Sequence, residues 1–369
     1  MSRSAKTLVI AGGGTGGHVS AGIAIAREWE KQFPGEASVV FVGSRGGVEE
    51  RMLPREGIPL RKLNLGSLNR VSIINKFKTI LKLPLSILLS LVWLIELRPA
   101  AVIGVGGFAS GPFVIVASLL SRLFKIRTGL LEQNTVFGLT NRVLAKYVDR
   151  IYLNFELELP LTIMKKIKVV GNPVRSNLSN KSVGDTKLFT IFIFGGSQGA
   201  RGLNDLIINE MPEFQQVFEK NSAIKFKIIH QTGKNDLNRV ATAYQDLNLI
   251  ADVTDFIDDM SAAYSSANIV VCRSGASSLS ELAAVGRPSV LVPLPTSSDD
   301  HQRKNALRVV EFGGACMLEQ ERAGVGELSQ LIQGFIDNPQ KLSDMGTQIH
   351  LLHKSDAAKA IVLDLISGD

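Results

Sequence analysis

One stretch constrains this chain more than any other. Thr7-Leu8-Val9-Ile10-Ala11 is a short apolar run rich in β-branched residues, and it meets Gly12-Gly13-Gly14-Thr15-Gly16-Gly17-His18. A helical pattern, Ile23 to Trp29, follows at once. The order is strand, glycine loop, helix. Glycine tolerates positive φ and lacks Cβ, so the backbone can turn sharply and approach a ligand closely. The helix start behind the loop presents free N–H groups and a partial positive charge, which suit phosphate. Gly12-x-Gly14-x-x-Gly17 fits the dinucleotide fingerprint, although a turn that merely packs a helix on a sheet fits it too.

Repetition decides in favour of the larger reading. Thr190-Ile191-Phe192-Ile193-Phe194-Gly195-Gly196-Ser197-Gln198-Gly199-Ala200 restarts the unit near mid-chain, and a third glycine loop, Gly104 to Pro112, follows the apolar run Ala100 to Ile103. The same unit begun twice in 369 residues predicts an α/β chain of two Rossmann-like domains. Strands and helices alternate through both halves, which predicts parallel sheets with ligands at the strand C-termini. The boundary is placed near the turn Gly171-Asn172-Pro173, giving 1–168 and 169–344, with 345–369 as a terminal helical segment.

Composition excludes several classes. Hydrophobic residues make up 45% and charged residues 20%, enough for a packed core and too apolar for disorder. Two cysteines, Cys272 and Cys316, build neither a disulfide framework nor a metal cluster and fit a reducing compartment. No metal ligand set stands out, and whether a divalent ion assists is left open. A net charge of +7 suits an anionic ligand or membrane face. Without an aromatic RNA motif, zinc-finger spacing or long basic tail, nucleic acid is not an expected partner. The glycines come too early to leave a signal-peptide apolar region, so a cytoplasmic protein is expected.

Two further stretches matter. The second strand ends in Gly43-Ser44-Arg45 without the acidic residue an NAD site wants, whereas Arg45 would suit a 2′-phosphate. Glu49 to Leu53 starts the next helix, with Pro54 stopping it. Between Ser72 and Leu97, the residues Ile73, Ile74, Phe77, Ile80 and Leu81 form an apolar set flanked by Lys76, Lys78 and Lys82. It reads equally as interfacial contact or core. Leu85 to Ile95 is too short to span a bilayer and reads as a core helix behind the sheet.

Polar candidates cluster just after strands: Thr15, His18, Asn134, Arg175, Ser197, Gln198, Arg273, Ser274, Ser277, Ser278, Glu281, His301, Gln302 and Asn305. Arg273-Ser274-Gly275 and the helix start after it suit phosphate or hydroxyls. Glu281 suits a ribose diol or simply offsets a helix dipole. His18, at a helix start beside the first glycine loop, suits a neutral general base or an orienting group.

Taken in order, Gly12 to His18, Gly106 to Pro112, Glu132-Gln133-Asn134, Gly171 to Arg175, Gly195 to Arg201, Phe256 to Met260 and Cys272 to Ala276 resemble the MurG family. These are the lipid-linked N-acetylglucosaminyltransferases of bacterial peptidoglycan synthesis. The resemblance implies a GT-B fold, two Rossmann-like domains facing a cleft, with the last helix returning to the first domain. It implies inverting transfer of N-acetylglucosamine from its UDP donor to the muramyl C4 hydroxyl of lipid I, giving lipid II and UDP. Location would be peripheral, at the cytoplasmic face of the inner membrane.

By the same resemblance Ile257 meets uracil through its backbone and Glu281 the ribose, with Arg175 and Ser197 on the nucleotide side. Ala276, Ser277, Ser278, Leu279, Ser280, His301, Gln302 and Asn134 surround the sugar and phosphates, and Thr15, Gly16, Gly17 and His18 come from the facing domain. His18 and Glu132 are the candidate bases, His18 ranked first. Departures are Ser20-Ala21 for the usual Phe-Pro, Phe108 for Tyr, Leu131 for a His, and His301 where Gln also occurs. An NADP-dependent oxidoreductase and a non-catalytic nucleotide-sugar binder remain as alternatives.

Overall fold

The computed structural model describes residues 6–65, 81–175, 178, 188–196 and 198–367. The chain divides into two compact units, Met1–Arg175 with Lys354–Asp369, and Ser176–His353. The sequence places these divisions at 168/169 and 344/345. The helix Pro339–Leu351 runs through the second of those points, and the chain leaves the second unit only after it.

The first unit is built on a parallel sheet of β1 (Lys6–Gly12), β2 (Ala37–Ser44), β3 (Leu60–Leu63), β4 (Ala101–Gly106), β5 (Arg127–Glu132), β6 (Arg150–Leu153) and β7 (Ile167–Val169), in the order β3-β2-β1-β4-β5-β6-β7. Its central strands carry near-continuous apolar runs because helices cover both faces. Leu8, Val9 and Ile10 are completely buried, the outer two in one core layer and Val9 in the other. Strand order reverses between β1 and β4. There the register slips between Ala11 and Gly12, which sets Gly12 beside Gly106.

The terminal helix Ala357–Ser367 belongs to this unit. Ile361, Val362 and Leu365 join the core layer of Leu8 and Ile10. Asp364 accepts a 2.7 Å hydrogen bond from the Tyr152 hydroxyl and pairs with Arg150 and Lys168. These contacts are why the chain, after completing the second unit, ends in the first.

The second unit repeats the plan with β8 (Leu188–Phe194), β9 (Lys225–Gln231), β10 (Ala251–Thr254), β11 (Ile269–Cys272), β12 (Ser289–Leu291) and β13 (Ala315–Met317), ordered β10-β9-β8-β11-β12-β13 and parallel throughout. Its order reverses between β8 and β11. In such sheets the ligand crevice lies at the strand C-termini beside the reversal.

The helix Leu83–Leu97 departs from expectation. Its buried residues are Ser86, Ser90 and Leu94, while Leu85, Ile87, Leu88, Val92 and Ile95 are exposed. The serines can turn inward because their hydroxyls bond back to the carbonyls of Lys82 and Ser86 in the preceding turn. Leu85 to Ile95 is thus a core helix on one face only: Leu94 joins the core with Leu89, Leu91 and Trp93 packed against it, while the opposite face is exposed. Pro54, expected to stop the helix from Glu49, lies inside α2 (Glu49–Arg55).

Candidate functional site

In the first unit two glycine loops interlock. Gly13 donates from its N–H to the Gly106 carbonyl at 3.2 Å. A Cβ on Gly12 would lie 2.7 Å from that carbonyl, and one on Gly107 would strike the carbonyl of Gly13. Gly106 and Gly107 have φ of 107° and 85°, which no β-carbon-bearing residue adopts readily. The bare backbones are thus required by the other loop as well as by any ligand.

Thr15 caps α1 (Gly16–Gln32), its hydroxyl accepting from the His18 N–H at 3.4 Å. Gly14 and Thr15 are exposed, and Gly16, Gly17 and His18 are half-buried. The His18 ring places Nδ1 3.1 Å from the Gly13 carbonyl. A carbonyl only accepts, so Nδ1 carries the proton and Nε2 is the basic nitrogen.

Glu132 is differently placed. It is 4% exposed. One carboxylate oxygen accepts from the Asn134 N–H and side-chain amide, the other from the Gly138 N–H and the Asn141 amide at 2.8 and 2.9 Å. Four donors fix the carboxylate as the organiser of the 133–138 turn and hold Asn134 through it. Gln133 reaches from this turn to the Gly17 carbonyl at 3.5 Å. Leu131, at the departure from the usual His, is buried in the core. Arg175 is half-buried at the end of the first unit's longer segment.

In the second unit the glycine loop after β8 rests on the loop after β9. A Cβ on Gly233 would lie 2.5 Å from the Gln198 carbonyl, and one on Gly199 would strike that of Thr232. Gln231, 3% exposed, ties three segments together: its amide donates to the Gly196 carbonyl at 2.9 Å and accepts from the Ile257 N–H at 2.8 Å. Behind it His230 is fully buried between the Tyr244 hydroxyl and Asn204, and burial pushes its pKa down to about 3.

The helix Ala276–Val285 starts at Gly275 after β11. Ser277, Ser278 and Ser280 are half-buried, whereas Ala276 and Leu279 are buried, the latter in the core. The Ser280 hydroxyl donates to the Ala276 carbonyl. Glu281 is half-buried and accepts from the buried Tyr264 hydroxyl at 2.9 Å. Arg273 is turned into its own unit. Its guanidinium, 6% exposed, donates to the carbonyls of Val292 and Pro293 and to Gln320, and burial lowers its pKa to about 10. It is a buried brace for the loop after β12.

The other end of that loop is held by Gln302. Its side chain accepts from the Leu294 N–H, and its carbonyl accepts from the Ser274 hydroxyl. His301 begins the helix His301–Glu311 with Nδ1 2.7 Å from the Ser298 carbonyl. Asp299 and Asp300 just before it both have left-handed φ, near 51° and 55°. Two successive non-glycine residues in that region cost free energy and concentrate where function over-determines the backbone.

Ser197, Ile73, Ile74, Lys76, Phe77, Lys78 and Ile80 lie outside the described residues. Leu81 is 64% exposed and Lys82 donates to the Asn64 side chain at 3.3 Å. No helix among the described residues is long and apolar enough to cross a membrane. Among the same residues, no three His, Cys, Asp or Glu side chains are grouped to hold a metal ion.

Comparison with known proteins accounts for both units. The glycosyltransferase family 28 N-terminal domain matches residues 8–153 and the C-terminal domain of that family matches 190–361. The Myxococcus xanthus (strain DK1622) UDP-N-acetylglucosamine--N-acetylmuramyl-(pentapeptide) pyrophosphoryl-undecaprenol N-acetylglucosamine transferase is 38% identical over 357 residues, covering 96% of this chain and 91% of its own. The Syntrophus aciditrophicus (strain SB) enzyme of the same description is 38% identical, with 96% of each chain covered. Among solved structures, Acinetobacter baumannii MurG superposes with a TM-score of 0.75 at 28% identity over 99% of this chain and all of that one. A UDP-GlcNAc 2-epimerase from Neisseria meningitidis shares the fold at 15% identity, with a TM-score of 0.66 over 98% of this chain and 100% of its own.

Proposed function

The chain belongs to glycosyltransferase family 28, within its MurG branch, and we infer from this that it transfers N-acetylglucosamine from UDP-N-acetylglucosamine to lipid I. The products are lipid II and UDP. The observation that carries this reading is the near-full-length identity to the lipid-linked transferases, spanning both glycine-loop units. Incubating the purified protein with UDP-N-acetylglucosamine and a short-chain lipid I analogue should yield the disaccharide product and UDP in equal amounts. Release of UDP without transfer, or reduction of NADP by the protein, would refute it.

The second unit holds the donor. Glu281 accepts from the ribose hydroxyls, oriented by Tyr264, and the Ile257 backbone faces the uracil. Because the Ile257 N–H already donates to Gln231, its carbonyl is the group left to read the base. The start of the helix at Ala276, with Ser277 and Ser278, suits the diphosphate, whose charge helix N–H groups favour. Ser280 back-bonds into its helix and Leu279 is core, so their contribution is through shape. Arg175, Ser197, Asn134, His301 and Gln302 complete the set the family resemblance assigns.

The first unit supplies acceptor binding and the base. Attack of the muramyl C4 hydroxyl on the anomeric carbon forms the new C–O bond as the bond to the β-phosphate oxygen breaks. UDP leaves with the electron pair, the configuration inverts, and the hydroxyl proton passes to a base. His18 is assigned this role through Nε2, since the Gly13 carbonyl fixes the proton on Nδ1. Glu132 is set aside because both its oxygens are engaged by four donors that the 133–138 turn needs.

The acceptor's lipid requires approach to a bilayer. The helix Leu83–Leu97 exposes Leu85, Ile87, Leu88, Val92 and Ile95 on the face away from its buried Ser86, Ser90 and Leu94, and Leu119, Leu123 and Phe124 at the end of the neighbouring helix Ser110–Phe124 are exposed as well. An apolar outer face of this extent suits the headgroup–acyl boundary better than water. Ile73 to Leu81 with Lys76, Lys78 and Lys82 precede this helix in sequence and bring positive charge and apolar side chains to that part of the chain.

A further inference from the structure

Under the first glycine loop lies a carboxylate whose surroundings are unusual. Glu49, the first residue of α2, is 0% exposed. One oxygen accepts from the Ser44 N–H and the Ser44 hydroxyl, each at 2.8 Å, and the other accepts from the Gly14 N–H at 2.9 Å. Three glycines from three stretches close around it. A Cβ on Gly43 would lie 2.8 Å from its Cγ, and a Cβ on Gly13 or on Gly47 would strike the carboxylate itself. The loop after β1, the end of β2 and the turn before α2 are bare where they meet this one side chain.

A buried charge is costly unless its hydrogen bonds are made. Here all three donors come from Ser44 at the end of β2 and Gly14 in the loop after β1, so moving the glycine loop would strand a buried carboxylate. The loop is held through Gly13 and Gly14. Gly13 is fixed on three sides: its N–H donates to Gly106, its α-carbon faces Glu49, and its carbonyl accepts from His18 Nδ1. One residue therefore separates Glu49 from the imidazole.

We propose that Glu49 is a positioning residue for the transfer reaction: its carboxylate locks the glycine loop so that the Gly13 carbonyl fixes the tautomer and orientation of His18. The proposal rests on the reading of His18 as the base. It also gives the loop a consequence for ligands. The Gly14 N–H that a dinucleotide fingerprint would offer to a pyrophosphate is already donated to an internal anion, so this loop serves a side chain of its own chain.

Glu49→Gln keeps the volume but turns an amide N–H toward a backbone donor, loosening the loop without opening a cavity. In the folded variant kcat for transfer should fall at least tenfold, while calorimetric affinity for UDP-N-acetylglucosamine stays at the wild-type value. The acid limb of the pH–kcat profile should move to lower pH, because an imidazolium that loses its carbonyl acceptor is less favoured. A purely structural Glu49 would lower the melting temperature and leave that limb in place, and a folded variant with wild-type kcat and limb overturns the proposal. Ser44→Ala, which removes one of the three donors, should shift kcat and the limb in the same direction by a smaller amount. If Glu49→Gln does not fold, an unchanged profile in Ser44→Ala overturns it instead. His18→Ala measured alongside separates the premises: wild-type turnover in that variant refutes the base assignment itself, whereas a crippled His18→Ala beside an unaffected Glu49→Gln refutes only the role of Glu49.

Discussion

Tyr264→Phe tests how the donor carboxylate is held. The ring is fully buried and packs edge-on against Phe192 and Phe194, with centroids 5.5 and 5.9 Å away, so phenylalanine preserves the packing. What is lost is the 2.9 Å hydrogen bond to Glu281. A hydrogen bond to a charged group contributes about 1.5–3 kcal/mol, and Glu281 is half-exposed and can recruit water, so the lower figure applies. For a unit of this size about 1.5 kcal/mol corresponds to a fall of ~3–6 °C in Tm. Donor binding responds separately. Glu281→Gln, which removes the charge proposed to accept from the ribose, should weaken UDP-N-acetylglucosamine by about 1.5–3 kcal/mol, or roughly 10- to 150-fold in Kd. Tyr264→Phe should weaken it only about 3- to 10-fold, since the carboxylate remains but is no longer aimed. Titration calorimetry on both single variants and the double variant closes the cycle. If Tyr264 acts through Glu281, the double variant binds no more weakly than Glu281→Gln. Additivity within about 0.3–0.5 kcal/mol would refute the coupling, and an unchanged Kd in Glu281→Gln would refute the ribose assignment.

His18→Ala should lower kcat by ~10²-fold with donor affinity intact, as loss of a general base does; a rise confined to the donor KM would make His18 a binding residue. Leu88→Gln combined with Leu123→Gln should reduce co-sedimentation with anionic vesicles while transfer to a water-soluble acceptor survives, and vesicle binding equal to wild type would remove this face from membrane contact. Replacing Lys76, Lys78 and Lys82 by Glu should weaken the same binding by about 1 kcal/mol per lysine at low salt, and added salt should shrink the difference. Acid should destabilise the second unit through His230. Burial lowers its folded pKa to about 3, so between there and the unfolded value near 6.5 the unfolded chain binds the extra proton. Stability from this group is complete above about pH 6.5 and falls by up to ~1.4 kcal/mol per unit as pH drops through that window. Chemical denaturation of wild type and His230→Gln across pH 4–7 should show a steeper loss in wild type, and parallel curves would contradict the assignment.

The two-domain plan is legible because a buried parallel strand leaves a continuous apolar run, and a glycine loop after it marks the strand C-terminus. Thr7 to His18 and Thr190 to Ala200 carry both signals. What escapes is whatever depends on residues far apart in sequence. Glu49 reads as an acidic residue favouring a helix start, its commonest role; the glycines that cradle it come from positions 13, 43 and 47. Gln231 looks like the end of a strand, and only the fold shows it joining Gly196 to Ile257. Glu132 and Arg273 look like reactive groups at strand ends, yet their partners are carbonyls, amides and N–H groups of their own unit. The helix Leu83–Leu97 fails for another reason. A leucine-rich run records that water is avoided, but it does not say whether a core or a bilayer takes its place. The inward serines, which return their hydroxyls to the helix backbone, make the outward leucines possible.

The two units begin with the same strand–loop–helix device and put it to different electrostatic use. In the first, the loop is held from beneath by the buried carboxylate of Glu49. In the second, the carbonyl of Gly196 is held by Gln231, a neutral amide. Two like charges 4 Å apart at an effective dielectric of 20 repel by about 4 kcal/mol, so a diphosphate brought to the first loop would meet a penalty that Gln231 does not impose on the second. The same carboxylate is compatible with a sugar hydroxyl. A glycine fingerprint therefore reports only a backbone able to approach something closely. The residue underneath bears on which ligand comes to it, and the difference between Glu49 and Gln231 supports the proposal that the nucleotide goes to the second unit and the base to the first.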